Sequence, residues 1–301
     1  MTRAIEIVEV GPRDGLQNEA VLVSSADKVA LIRRCIAAGA RRIEIASFVN
    51  PRKVPQMADA EAVVALLGRP DGVTRIGLVL NRRGAERAIA AGVDQLGAVA
   101  VASATFGQRN QGQDIWQSVA EAQAIITMAQ AAGRPAQATI AAAFGCPFEG
   151  EIDPARVIDM ARQLAAAGPC EVALADTIGV AVPAQVSALV TAVREATALP
   201  VRVHFHDTRN TGTANVWAAV EAGAVTVDAA LGGLGGCPFA PGAAGNVATE
   251  DVAYLLARSG IETGLDLPGL IEASHWLAGI IGKALPASLA KAVPFPPRGQ
   301  P

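Results

Sequence analysis

Short apolar runs alternate with longer, alanine-rich amphipathic stretches along almost the whole chain. The apolar runs are rich in valine and isoleucine, which is typical of buried strands. They predict eight strands, at Ile5–Val10, Arg42–Ala46, Arg75–Leu80, Gln95–Val101, Ala136–Ala142, Glu171–Ala175, Val201–Phe205 and Thr226–Ala230. The stretches between them predict helices, among them Ser25–Ala38, Ala58–Leu67, Ile115–Ala132, Pro154–Ala167 and Pro183–Ala196.

This alternation favours one α/β fold. Eight strand–helix units in about 260 residues match the size of a (β/α)₈ TIM barrel. A doubly wound open sheet shares the alternation, but no G-x-G-x-x-G follows the first strand, which weakens its dinucleotide-binding version. We predict a single TIM-barrel domain over residues 1–285 with short C-terminal capping helices, followed by a flexible tail over residues 286–301.

Composition and charge exclude some classes of partner. Hydrophobic residues make up 51% of the chain and charged residues 18%, a balance typical of a soluble protein with a large core rather than a disordered one. The formal net charge of −3 offers no basic surplus for nucleic acid or an anionic membrane surface. We therefore predict no nucleic-acid partner and no membrane partner.

The cysteines and the N-terminus indicate a compartment. Four widely spaced cysteines include no C-x-x-C pair. This pattern argues against a zinc ribbon or a disulfide scaffold and is typical of a protein in a reducing compartment. Residues 1–10 lack the apolar core of a signal peptide, and no apolar run is long enough to span a bilayer. We predict a cytoplasmic protein.

A His-x-His pair ends the seventh predicted strand. Only three histidines occur in the chain, and two of them, His204 and His206, lie here. Side chains alternate between the faces of a strand, so both imidazoles are expected on one face, where they can bind one metal ion. Because active sites of TIM barrels lie at the carboxyl ends of the strands, we expect the functional residues to gather there.

Charged residues occur in or after three other strands. Arg13 and Asp14 follow the first strand, Glu44 lies in the second, and Asp176 ends the sixth. Asp14 is suited to a hard divalent ion, and Arg13 to a carboxylate or a developing enolate oxygen. Glu44 lies among apolar residues and needs a partner such as Arg13, because burying an unpaired charge is expensive.

The loop after the eighth strand is rich in glycine and carries Cys237 and Asn246. A mobile loop with one thiol can deliver an acid/base group over a substrate. The amide oxygen of Asn246 adds a neutral ligand to Asp14 and the two histidines. This mixed oxygen and nitrogen set suits Mg²⁺ or Mn²⁺, with Zn²⁺ or Co²⁺ as alternatives.

Six motifs together resemble the 3-hydroxy-3-methylglutaryl-CoA (HMG-CoA) lyases of the DRE-TIM metallolyase superfamily. They are VEVGPRDGLQNE, EIASFVNPRKVPQM, FGCPFEG, ADTIGV, VHFHDT and GGLGGCPFAPGAAGNVATED. The resemblance runs from about residue 4 to residue 285. The cysteine-loop motif is highly specific, whereas the RDG and HxH motifs are shared across the superfamily.

The resemblance implies a retro-Claisen cleavage of HMG-CoA to acetyl-CoA and acetoacetate, in a homodimer. The metal ligands of the family match Asp14, His204, His206 and Asn246. Arg13 matches the arginine that stabilises the enolate, and Cys237 matches the acid/base cysteine. Further catalytic carboxylates are expected at Glu44 and Asp176. The acyl-CoA substrate is expected to contact Arg13, Gln17, Thr208 and Glu250.

Two departures from the family pattern leave the substrate open. Thr208-Arg209-Asn210-Thr211 stands where the family has Thr-Tyr-Gly-Gln, and Thr139 stands where it has a tyrosine. A related 3-hydroxy-3-alkylglutaryl-CoA or a citramalyl-CoA-like thioester is therefore an alternative substrate. Two further alternatives are a Claisen-condensing enzyme of the same superfamily, which is not expected to carry the Cys237 loop, and a non-catalytic metal-binding relative.

Overall fold

Eight parallel strands close into a barrel in the computed structural model, which describes residues 3–236, 245–293 and 295. Each strand pairs with the next along the chain, and the last pairs with the first. The strands are β1 (Glu6–Glu9), β2 (Arg42–Ser47), β3 (Thr74–Val79), β4 (Gln95–Val101), β5 (Ala136–Ala141), β6 (Val172–Asp176), β7 (Val201–Phe205) and β8 (Thr226–Ala229). The TIM-barrel prediction is confirmed.

Helices surround the barrel in the described part of the chain. They are α1 (Ser25–Ala37), α2 (Ala60–Leu67), α3 (Arg82–Ala91), α4 (Ala104–Asn110), α5 (Ile115–Ala131), α6 (Pro154–Ala165), α7 (Pro183–Thr197), α8 (Gly212–Glu221), α9 (Thr249–Arg258) and α10 (Leu267–Ile281). A two-stranded antiparallel hairpin of Gly145–Cys146 and Gly150–Glu151 follows β5. Among the described residues, no helix has both the length and the apolar character that crossing a bilayer requires.

Local signals explain why the predicted elements agree with the observed ones. Helix α5 begins at a capping box, in which Asp114 accepts from the backbone amide of Gln117 and the Gln117 side chain accepts from that of Asp114. Helix α3 ends at Gly92, whose φ of +86° closes the helix in the left-handed region. Each predicted strand end lies within one residue of the observed end.

The beginning of the predicted C-terminal tail makes hydrogen bonds to the rest of the chain. The backbone amides of Ser288 and Leu289 donate to the carboxylate of Asp251 at 2.9 and 2.7 Å, and Ala287 donates to the carbonyl oxygen of Gly232. These bonds hold residues 287–289 against the barrel. Apart from residue 295, the tail beyond residue 293 lies outside the described residues.

Polar side chains fill the amino-terminal end of the barrel interior. Arg202 of β7 donates to Gln137 of β5 and pairs with Glu171, which also pairs with Arg42 of β2. All four side chains are buried or nearly so. Buried charges are tolerated only when they are partnered, and each of the three charged side chains here has a partner of opposite charge.

A second ion pair lies at the same end of the barrel, between Arg75 of β3 and Asp94, which directly precedes β4. Arg75, 2% exposed, donates to both carboxylate oxygens of Asp94 at 2.7 and 2.9 Å. Burial raises the pKa of Asp94, but hydrogen bonds from Arg75 and Arg69 outweigh it and lower the pKa to about 2.

We expect Asp94→Asn to lower the free energy of unfolding by about 2 kcal/mol, because the buried Arg75 cation loses its counter-charge. Urea denaturation at pH 7 measures this difference. An unchanged unfolding midpoint would contradict the stabilising role of the pair.

Candidate metal centre and active site

The carboxyl ends of β1, β7 and β8 bring Asp14, His204, His206 and Asn246 together. Asp14 lies in a π-helical turn, Gly11–Gly15, that follows β1. His204 lies in β7 and His206 directly after it, with their rings 5.2 Å apart between centroids. Asn246 forms an isolated backbone bridge with His206. The predicted meeting of these four residues at one mouth of the barrel is therefore observed.

The Asp14 carboxylate faces both imidazoles. Its Oδ2 lies 3.9 Å from Nε2 of His204 and 3.9 Å from Nε2 of His206. One ligand atom from each of the three residues falls within 4.8 Å of the others. This spacing fits a metal site made of two histidines and one aspartate, because one ion placed between the three ligand atoms would contact each of them.

Asp228 orients the His204 ring. Its Oδ2 lies 3.1 Å from Nδ1 of His204, and the two residues are register partners across β7 and β8. Burial raises the pKa of Asp228, but Arg202 and His204 outweigh it and lower the pKa, so Asp228 is an ionised acceptor. Nδ1 must then carry the proton, which leaves the Nε2 lone pair on the Asp14 side.

Arg202 in turn holds Asp228, donating from Nε to Oδ1 at 2.5 Å. The chain from Arg202 through Asp228 to His204 runs up the barrel interior. Burial lowers the pKa of His204, but the Asp228 hydrogen bond and the Asp14 charge outweigh burial, so the pKa lies above its ordinary value.

Arg13 lies between two carboxylates. Its Nε donates to Glu44 at 2.7 Å, and its Nη1 contacts Asp14. Burial raises the pKa of Asp14, but the Arg13 cation and the two histidines outweigh it and hold the pKa well below its usual range. Asp14 is thus an anion, and the buried Glu44, 1% exposed, fixes the guanidinium.

Asn246 supplies an amide oxygen that has no hydrogen-bond partner among the described residues. Its Nδ2 donates to Asp14 Oδ2 at 2.8 Å and to the carbonyl oxygen of Leu234 at 3.0 Å, which fixes the amide orientation. The buried Oδ1 remains unpaired in this part of the chain. A divalent cation would satisfy this orphaned oxygen, so the donor set fits such an ion.

Asp176 and Glu250, for which the sequence predicts roles in catalysis and substrate binding, are buried carboxylates in the structure. Both Asp176 oxygens accept backbone amides, from Val180 and Ala181, and the residue is fully buried. Glu250 is also fully buried and accepts from the amide of Gly232 at 3.0 Å. Each carboxylate therefore accepts loop backbone amides, and the roles of Asp176 in catalysis and of Glu250 in substrate binding stay predictions.

Two other predicted residues, Gln17 and Thr208, belong to the described part of the chain. Gln17 follows the Asp14 turn, and its Oε1 is buried without a partner among the described residues. Thr208 is half-buried beside Gly179, where a Cβ would lie 2.7 Å from the Thr208 hydroxyl. Cys237 lies outside the described residues.

Sequence reasoning missed Asp228, Arg202 and Asn18. Asp228 and Arg202 interrupt apolar strands, and this interruption was the available signal. Asn18 Nδ2 donates to the carbonyl oxygen of Gly236 at 2.7 Å. This bond ties the segment after Asp14 to the base of the glycine-rich loop.

Comparisons with known proteins agree with the geometry. The family model described as HMGL-like matches residues 4–277. The chain is 44% identical to the (R)-citramalyl-CoA lyase of Chloroflexus aurantiacus, over 98% of this chain and 96% of that protein. It is 39% identical to a hydroxymethylglutaryl-CoA lyase of Bacillus subtilis, over 95% and 96%. An HMG-CoA lyase from Acinetobacter baumannii, solved with coenzyme A and 3-methylmalate, superposes with a TM-score of 0.93 at 39% identity, covering 99% of this chain and 97% of that one.

We expect Asp228→Asn to weaken Mn²⁺ binding by about 10- to 100-fold, because His204 loses the anion that fixes its tautomer. Electron paramagnetic resonance titration of free Mn²⁺ measures the affinity. Glu171→Gln is the matched control, since Glu171 also pairs with Arg202 but makes no hydrogen bond to His204 in the described part of the chain. Equal affinities in wild type and Asp228→Asn, or an equal loss in the control, would contradict the orienting role.

Proposed function

The chain belongs to the HMGL-like family, and from this we propose that it is a divalent-metal-dependent carbon–carbon lyase of acyl-CoA thioesters. The first candidate substrate is HMG-CoA, cleaved to acetyl-CoA and acetoacetate. The observation that carries the proposal is the Asp14, His204 and His206 cluster beside Arg13 at the carboxyl end of the barrel.

The proposed cation ligands are Asp14, His204, His206 and Asn246. A divalent cation bound there supplies Lewis acidity, which lowers the pKa of a substrate hydroxyl. Mg²⁺ and Mn²⁺ are the first candidates, because two of the four residues offer oxygen atoms. The Asp228 bond to Nδ1 of His204 keeps Nε2 available as a ligand.

Arg13 is proposed to stabilise the enolate. The bond between the methylene carbon next to the thioester and the carbinol carbon breaks, and its electron pair passes to the thioester enolate while the carbinol becomes a ketone. The guanidinium, fixed by Glu44 and Asp14, is preorganised to meet the negative charge that develops on the thioester oxygen.

Cys237 is proposed to take part in proton transfer. The enolate carbon must gain a proton to become the methyl group of acetyl-CoA, and a thiol delivered by the loop is a suitable acid/base group. Asn18 supports this proposal, because its bond to Gly236 ties the residue just before Cys237 to the segment after Asp14.

(R)-Citramalyl-CoA is the second candidate substrate. The 44% identity to the Chloroflexus lyase exceeds the 39% identity to the Bacillus enzyme, and coverage is nearly complete in both. Citramalyl-CoA carries its carboxylate directly on the carbinol carbon, so the same bond cleavage yields acetyl-CoA and pyruvate. The Arg209 and Asn210 departures support keeping this alternative.

Homodimerisation and a cytoplasmic location stay predictions. Light scattering of the purified protein checks the first. Cell fractionation checks the second.

We expect the purified protein to release acetyl-CoA from HMG-CoA when Mg²⁺ or Mn²⁺ is present, and to lose this activity after treatment with EDTA. Parallel assays with (R)-citramalyl-CoA, quantifying acetoacetate and pyruvate separately, identify the preferred substrate. If pyruvate were the only product released, citramalyl-CoA would replace HMG-CoA as the proposed substrate. No cleavage of either thioester in the presence of metal would contradict the lyase proposal.

We expect Arg13→Gln to lower kcat by about 10²- to 10³-fold, because one preorganised charge toward the enolate is lost. Arg13→Lys is expected to lose most of the rate as well, since an ammonium cannot reproduce the fork that contacts both carboxylates. Arg69→Gln, an exposed arginine at the other end of the barrel, is the control. A kcat for Arg13→Gln within threefold of wild type would remove Arg13 from the mechanism.

A further inference from the structure

A buried carboxylate outside the proposed mechanism lies behind the metal ligands. Glu9, the last residue of β1, is 1% exposed. Its Oε1 accepts the backbone amides of Gly11 at 2.7 Å and Leu231 at 2.9 Å. Its Oε2 accepts the hydroxyl of Thr249 at 2.7 Å. No lysine or arginine pairs with it in the described part of the chain, so three neutral donors alone hold the carboxylate.

These three donors come from three segments that each lead to the metal centre. Gly11 begins the turn that carries Asp14. Leu231 begins a 3₁₀ turn, Leu231–Gly233, which leads to Leu234 and the glycine-rich loop. Thr249 is the first residue of α9, three residues after Asn246. Glu9 is thus the one side chain that hydrogen-bonds all three segments within the described residues.

The same segments meet again at their far ends, where Asn246 donates to both Asp14 and the Leu234 carbonyl oxygen. The three segments are therefore held together at two places, by hydrogen bonds of Glu9 at one end and of Asn246 at the other. Because Asp14 and Asn246 are both proposed ligands, weaker hydrogen bonds at Glu9 would let the distance between these two ligands change.

We propose that Glu9 is a positioning residue, which sets the affinity of the metal centre by fixing the Asp14 turn against the Leu231 turn and α9. This inference rests on the proposed metal site. It requires the length of the Glu9 side chain, because the carboxylate reaches all three donors at once. It does not require the negative charge.

Two conservative variants separate reach from charge. Glu9→Asp keeps the charge but withdraws the carboxylate by one methylene. Glu9→Gln keeps the reach, since its Oε1 can accept both amides and its Nε2 can donate to the Thr249 hydroxyl. Burial raises the pKa of Glu9 to about 7, so the titrations are run at pH 8.5, where the wild-type carboxylate is ionised.

We expect Glu9→Asp to weaken Mn²⁺ binding by about tenfold or more, and Glu9→Gln to stay within about threefold of wild type, by titration followed with electron paramagnetic resonance. Asp94→Asn is the matched control, because it removes the counter-charge of the buried Arg75 at the opposite end of the barrel. It is expected to lose stability without losing Mn²⁺ affinity.

Hydrogen exchange of the metal-free protein gives a second readout, in which Glu9→Asp is expected to expose the amides of residues 11–16 and 231–236. Wild-type affinity in Glu9→Asp, or an affinity in Glu9→Gln as low as in Glu9→Asp, would overturn the proposal. If the wild-type protein bound no Mn²⁺, the proposed metal site itself would be contradicted. If hydrogen exchange were unchanged in Glu9→Asp, Glu9 would not hold the three segments together. Wild-type lyase assays, run separately, test the reaction.

Discussion

The Asp228 carboxylate, shared between Arg202 and His204, is the interaction on which the rest of the site depends. Its cation partner belongs to the polar network at the amino-terminal end of the barrel, and its imidazole partner belongs to the proposed metal centre. Removing one member of a buried charged pair leaves the other uncompensated, which is far more costly than replacing both. The pairing therefore fixes the His204 tautomer as well as the packing inside the barrel.

The need for each buried charge to have a partner of opposite charge also determines the arrangement at the mouth of the barrel. Asp14 is anionic because Arg13 and the two histidines outweigh its burial, and Arg13 is held because Glu44 balances its charge. These residues keep their charges although they are largely buried, so the proposed site is preorganised for a cation and for an anionic enolate. Glu9 and Asn246 hold the turn that carries Asp14 from its two ends.

The sequence predicted the strands because buried parallel strands read as apolar runs, and it predicted the His204 and His206 pair because strand alternation is local. It did not identify Asp228, whose partnership with His204 depends on the register between β7 and β8. It predicted a catalytic role for Asp176 and substrate binding for Glu250, but not that both accept loop amides. Position at a strand end is readable in a sequence, whereas side-chain direction after the strand depends on the loop that follows.

The most direct test of this account is a crystal structure of the protein grown with Mn²⁺, with anomalous diffraction recorded at the manganese edge. The account predicts one anomalous peak bonded to Asp14, His204, His206 and Asn246. Manganese bound elsewhere, or a peak with His204 or Asn246 outside its coordination shell, would contradict the proposed metal centre and the role of Asp228 in orienting it.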